Sequence, residues 1–90
     1  MQHDFKNAQI LLNAISEVLR EERLNTGKSA RMLAYEYELQ VSMISRAENS
    51  KNDIKITSLY ALCEALNIPI EEFFIKVKKK LPQDFSLLDL

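Results

Sequence analysis

An all-α chain of five helices is what the 90-residue sequence predicts, and three observations carry that expectation. Apolar residues recur at three- and four-residue spacing along most of the length. The β-branched residues are scattered and do not alternate with polar ones. One Gly and two Pro leave little turn chemistry for hairpins. The length bounds the answer to one small domain with a modest core, a size at which dimerisation is a common extra stabiliser.

The first helix is expected from Asp4 or Asn7 to Leu24, with Asp4 a fair N-cap. Ala8, Leu11, Leu12, Ile15, Val18 and Leu19 mark its buried stripe, and Asn13, Glu17, Arg20 and Glu21 face water. Arg23 falls on the stripe one turn beyond Leu19, so it needs a partner. Asn25 to Lys28 is the break, with Gly27 the natural left-handed residue. Ser29 caps the second helix, where Ala30, Leu33, Ala34 and Tyr37 form a narrow apolar face. Glu38-Leu39-Gln40 is the turn, with Leu39 its buried pin.

The third helix starts near Val41. Ile44, Ala47 and Glu48 point one way, and Ser42, Ser45, Arg46 and Asn49 the other. A helix with one apolar side and one side of small polar residues, Arg and Asn is made to be held by a core and presented to something polar. The major groove of DNA is the first candidate. Asn49 to Asp53 is a polar loop. The fourth helix runs from about Thr57 to Leu66, with Ile56, Leu59, Leu62, Cys63 and Leu66 inward and Asn67 after its end. Pro69 sits near the first position of the fifth helix. Ile70, Phe73, Phe74, Val77 and Leu81 continue the stripe, and Pro82 stops it.

Composition is ordinary for a globular chain, 47% apolar and 28% charged. A net charge of −1 and a pI near 5.8 count against a strongly basic, non-specific nucleic-acid binder. They leave room for a specific one, because the placement of charge decides. The single cysteine, Cys63, has no partner for an internal disulfide and reads as a small core residue. With no basic leader and no apolar run of membrane-spanning length, a reducing, cytoplasmic location is expected. No metal-ligand spacing, nucleophile–base pair or Gly-rich phosphate loop is present, so neither an enzyme nor a cofactor is expected. His3, near the end of the chain, is not read as a metal ligand.

Arg23, Gly27, Ser29, Leu33-Ala34, Leu39 and Ile44-Ser45-Arg46-Ala47-Glu48-Asn49 stand at spacings that resemble the phage-repressor and Cro-like helix-turn-helix family, also called the XRE family. The run from Leu59 through Leu62-Cys63 and Ala65-Leu66-Asn67-Ile68-Pro69 to Phe73-Phe74 looks like that family's fourth and fifth helices. The resemblance implies a five-helix lambda-repressor-like DNA-binding domain. The whole chain, 1–90, is then one domain with a family-like core at about 15–75. Residues 1–14 extend its first helix, and residues 76–90 complete the last helix and add a tail.

By that resemblance the third helix is the recognition helix, and Gln40, Val41, Ser42 and Arg46 face base edges. Ser29 and the amides opening the second helix sit against a phosphate. Asn49, Lys51 and Lys55 touch the DNA backbone. Arg23 and Glu48 match positions that form an internal ion pair, which explains a charge on each of two apolar faces. Three positions depart from the pattern. Ala30 stands where the family has a phosphate-contacting Gln, Glu38 where the turn has Gly, and Lys28 where a buried Leu precedes the cap. Ala30 cannot bond to a phosphate through its side chain, and Lys28 is the residue placed to do so instead.

Each of these residues has a plainer alternative: capping for Gln40 and Ser42, core packing for Val41, a solvated surface position or a phosphate contact for Arg46. Lys76, Lys78, Lys79 and Lys80 read as the solvated face of the fifth helix. Phe5, Ile10, Leu11 and the Leu87-Leu88-Leu90 tail exceed what a five-helix core needs. Their surplus points to a dimer, or else to the two ends covering each other. The expected function is therefore a homodimeric, sequence-specific DNA-binding repressor. The alternative is an antitoxin-like regulator that also binds a protein partner, a toxin, motivated by the acidic pI, Glu38 and the apolar tail.

Overall fold

The computed structural model describes residues 5–49 and 53–90. It contains five α-helices: α1 (Ala8–Thr26), α2 (Ala30–Tyr37), α3 (Val41–Asn49), α4 (Ile56–Ala65) and α5 (Ile70–Lys80). No strand occurs among the described residues. The fold is the all-α, lambda-repressor-like arrangement. α1 is the hub, packing against α3 and α5, while α3 also touches α2 and α4. Ala14, Ile15, Val18 and Leu19 of α1 meet Leu33 and Ala34 of α2, Ile44 and Ala47 of α3, and Leu59, Leu62 and Cys63 of α4. Phe73 and Val77 of α5 complete the core, Phe73 with no exposed surface.

The helix ends follow local chemistry. α1 continues two residues beyond Leu24 and stops at Gly27, whose φ of 75° is left-handed. A Cβ on Gly27 would meet nothing within 4 Å, so conformation alone asks for glycine. Ser29 caps α2 by accepting a hydrogen bond from the Met32 amide at 3.1 Å. Glu38 ends α2 in the left-handed region at φ 55°, the role the family gives to Gly, and its amide bonds to the Ala34 carbonyl. Asn67, also left-handed at φ 58°, follows α4. Pro69 is the N-cap of α5 and lies one residue before the position expected for it. α4 likewise opens at Ile56, one residue early, as helix boundaries commonly shift. The expected Asp4 cap and His3 lie outside the described residues; Asn7 occupies the cap position without a side-chain cap bond.

Three residues assigned inward by periodicity turn outward. Ile56 is 64% exposed, because as the first residue of α4 it precedes the packed turn. Phe74 is 39% exposed and meets the buried Phe73 edge-on at 5.3 Å, giving the core only part of its ring. Tyr37 is 44% exposed, and the Lys28 ammonium lies 5.8 Å from its ring centre.

The two ends of the chain meet. Asn7 Nδ2 donates to the Ser86 carbonyl at 2.6 Å, and Lys6 pairs with Asp89 at 3.3 Å. Phe85 and Leu87 are half-buried there, whereas Phe5, Ile10, Leu88 and Leu90 remain exposed. The ends thus cover part of their own apolar surface. The lysines of α5 are partly engaged as well: Lys76 reaches Glu22 at 2.7 Å, and Lys80 reaches Glu21 at 2.9 Å.

Candidate nucleic-acid interface

The inward side of α3 is held from three directions. Ile44 and Ala47 are buried in the core. The Ser16 hydroxyl, buried in α1, donates to the Ala47 carbonyl at 2.6 Å. Arg23 clamps the end of the helix. Its Nε donates to Glu48 Oε2 at 2.7 Å, its Nη2 to Glu48 Oε1 at 3.0 Å, and its Nη1 to the Lys28 carbonyl at 3.0 Å. One guanidinium therefore ties α1, the α1–α2 link and α3 together. Both side chains of the pair are only 13% exposed. The hydrogen bond to Glu48 raises the Arg23 pKa, against the opposing effect of burial. A two-pronged pair of this kind fixes the orientation of its helices more surely than it adds stability.

With its inner side fixed, α3 presents Val41, Ser42, Ser45, Arg46 and Asn49 to solvent, with Gln40 at its start. Among the described residues, the side chains of Gln40, Ser42 and Arg46 have no hydrogen-bond partner; the opening of α3 is satisfied by the Gln40 carbonyl, which accepts from the Met43 and Ile44 amides. Capping therefore does not occupy Gln40 or Ser42. Val41 is exposed rather than packed in the core. Asn49 turns back on its own helix, its Nδ2 donating to the Ser45 carbonyl at 2.7 Å and to Ser45 Oγ at 3.2 Å. Gln40, Met43, Arg46, Asp53, Ile54, Lys55 and Ser58 line a hollow between α3 and the start of α4. That hollow gives Arg46 and Lys55 a common wall.

At the other edge, Ser29 spends its hydroxyl on the Met32 amide, and its carbonyl accepts from Leu33 at 3.0 Å. The amides of Ala30 and Arg31 have no intrahelical carbonyl to reach. Lys28 is engaged by Glu36, which raises its pKa through their hydrogen bond. Lys55 opens α4 as its N-cap with an exposed side chain. Lys51 lies outside the described residues.

Two residues that shape this surface escaped sequence reasoning. Ser16 sits on the α1 stripe between Leu12 and Leu19, and a polar residue at such a position is a signal of the same kind as Arg23. Glu36 meets Lys28 across a helix start, at an eight-residue separation that no regular periodicity announces. Among the described residues no group of acidic, Cys or His side chains is arranged to hold a metal ion.

This geometry, an outward polar helix braced by an ion pair and preceded by a capped helix and a tight turn, is that of a helix-turn-helix. The helix-turn-helix family model matches residues 19–73, and the chain belongs to that family, in its XRE branch of non-enzymatic DNA-binding regulators. Two solved structures of the restriction-modification controller protein C.Esp1396I are similar. One is the tetramer in complex with its natural 35 base-pair operator, at 30% identity, with 78% of this chain and 92% of that chain covered and a TM-score of 0.71. The other is a mutant of the same controller protein, at 28% identity, with 83% and 95% covered and a TM-score of 0.72. No curated protein matches the chain.

Proposed function

We propose that this protein is a sequence-specific transcriptional regulator that works as a homodimer, each subunit placing α3 in the major groove. The observation that carries the reading is the contrast across α3. Its inner residues are all employed by the fold, while Gln40, Ser42 and Arg46 are exposed and unpartnered among the described residues. Arg46 pairs with a guanine edge, a contact worth about 1–3 kcal/mol of discrimination, and Val41 meets a thymine methyl. Gln40 and Ser42 read neighbouring positions. Ser29 with the first amides of α2, Lys28, Lys51 and Lys55 contact phosphates and set the register, and Asn49 joins them by releasing its amide from Ser45. Two subunits with recognition helices roughly 34 Å apart read successive grooves on one face of the duplex. Occupancy then controls polymerase access, most simply as repression. The likeness to a controller protein solved on its operator supports this reading.

A selection from random duplex at about 0.1 M salt tests it, since affinity is meaningful only at stated salt. The expected result is one enriched, two-fold symmetric sequence, with Arg46→Ala weakening binding to it about ten-fold or more and relaxing one position per half-site. Sedimentation equilibrium is expected to give about twice the 10.4 kDa chain mass. A selection without enrichment, or binding indifferent to Arg46→Ala, removes the reading.

A further inference from the structure

The lysine at the proposed phosphate contact points away from it. Lys28 precedes the cap of α2, yet its ammonium is folded back along the helix to the Glu36 carboxylate, close to the Tyr37 ring. Glu36 lies six residues beyond Ala30, about 9 Å farther along the axis. The first turn of α2, with the unpaired amides of Ala30 and Arg31, keeps the exposed Arg31 side chain but is deprived of Lys28. The hydrogen bond that Lys28 donates to Glu36 raises its pKa and keeps it charged, so the lysine is occupied rather than neutralised by proton loss. The side chains retain 31% and 47% of their exposure, which makes the pair open to exchange.

We propose that Glu36 sets the affinity of this protein for DNA by holding Lys28 in the free state, so that the duplex must exchange the carboxylate for a backbone phosphate. This rests on the reading of the α2 N-terminus as a phosphate contact. The exchange has a definite salt signature. A lysine that neutralises a phosphate releases about 0.9 of a counterion from B-DNA. The Glu36 carboxylate set free at the same moment attracts a cation from solution. The two effects nearly cancel, so Lys28 adds little to the salt dependence of the wild-type protein. The cost of exchange is the same for every sequence, because phosphate contacts carry no sequence information. Glu36 thereby holds down binding to random DNA, and the base contacts of α3 must make up the difference at an operator.

The test is the affinity for a random-sequence duplex over about 0.05–0.2 M salt, measured for wild type, Glu36→Gln, Lys28→Ala and the double variant. Glu36→Gln is expected to tighten binding about two- to five-fold at low salt, and to steepen the log–log salt slope by about 0.9. Lys28→Ala alone leaves the slope close to wild type, and in that background Glu36→Gln adds nothing. An equal gain from Glu36→Gln with and without Lys28 overturns the proposal, because Glu36 then acts by direct repulsion. So does an unchanged slope. Melting curves verify that each variant is folded, and Glu36→Ala replaces Glu36→Gln if the latter melts early. Binding by wild type without a Glu36→Gln effect defeats this inference alone. Failure of wild type and Glu36→Gln to bind any duplex defeats the DNA-binding reading as well, and binding by Glu36→Gln where wild type has none supports the exchange.

Discussion

Among the described residues, Arg23 donates more hydrogen bonds than any other charged side chain. It holds Glu48 with two donors and the Lys28 carbonyl with a third. Replacing it by Met leaves Glu48, whose side chain is 13% exposed in the intact pair, without its cation. Breaking one side of a buried pair costs about 3–5 kcal/mol, and the residual solvent access here places the loss near the lower figure. The double variant Arg23→Met with Glu48→Leu is expected to recover much of that loss, since apolar residues of similar volume replace buried pairs at little cost. Urea unfolding at neutral pH compares the two. Equal losses in the single and double variants would show that charge compensation is not what the pair supplies. Arg23 was legible in the sequence as a charge on an apolar stripe. Its third partner, a backbone carbonyl in the adjoining link, was not, because only the path of the chain after Gly27 brings that carbonyl within reach.

At the scale of elements, the turn between α2 and α3 is the informative unit. Glu38 adopts a left-handed backbone at φ 55°, where a side chain is disfavoured by about 1–2 kcal/mol. Glu38→Gly is expected to stabilise the fold by about 0.5–1 kcal/mol, the gain being reduced by the greater freedom of glycine when unfolded. Glu38→Asn should fall between them, because Asn tolerates this region. Thermal melts order the three, and a glycine variant that melts lower than wild type would contradict the strain at this turn. Removing a carboxylate from the proposed DNA side should also tighten binding. The turn itself was readable from Glu38-Leu39-Gln40 between two apolar faces. The outward positions of Ile56 and Phe74 were not, since periodicity shows that a face is apolar but not where its partner ends.

For the molecule as a whole, the core is sealed around a thiol. Burial, with a smaller contribution from the Glu22 charge, pushes Cys63 up from an ordinary 9.0 to about 11. A folded-state value above the unfolded one means that the stability is fully present below about pH 9 and is lost as pH rises through about 11. The Lys76 and Lys80 values, raised by their hydrogen bonds to Glu22 and Glu21, act in the same direction in the alkaline range. Thermal melts are therefore expected to fall between pH 9 and pH 11, and Cys63→Ala should show a shallower fall. A thiol reagent at neutral pH should leave native Cys63 untouched and modify it only on unfolding. Rapid modification of the folded protein would contradict the sealed core.

Local and periodic features were written in the order of the residues: five helices, the Gly27 and Ser29 punctuation, the apolar faces and the opposed sides of α3. Each depends on residues within a few positions of one another, so spacing suffices to read it. Long-range assembly belongs to the folded molecule. Only the fold brings Ser16 to the Ala47 carbonyl, joins the chain ends through Asn7 and Ser86, and lays Lys28 against Glu36 instead of leaving it free for phosphate. Those pairings depend on the angles at which helices cross and links turn, and such angles arise from packing in three dimensions that no one-dimensional period encodes.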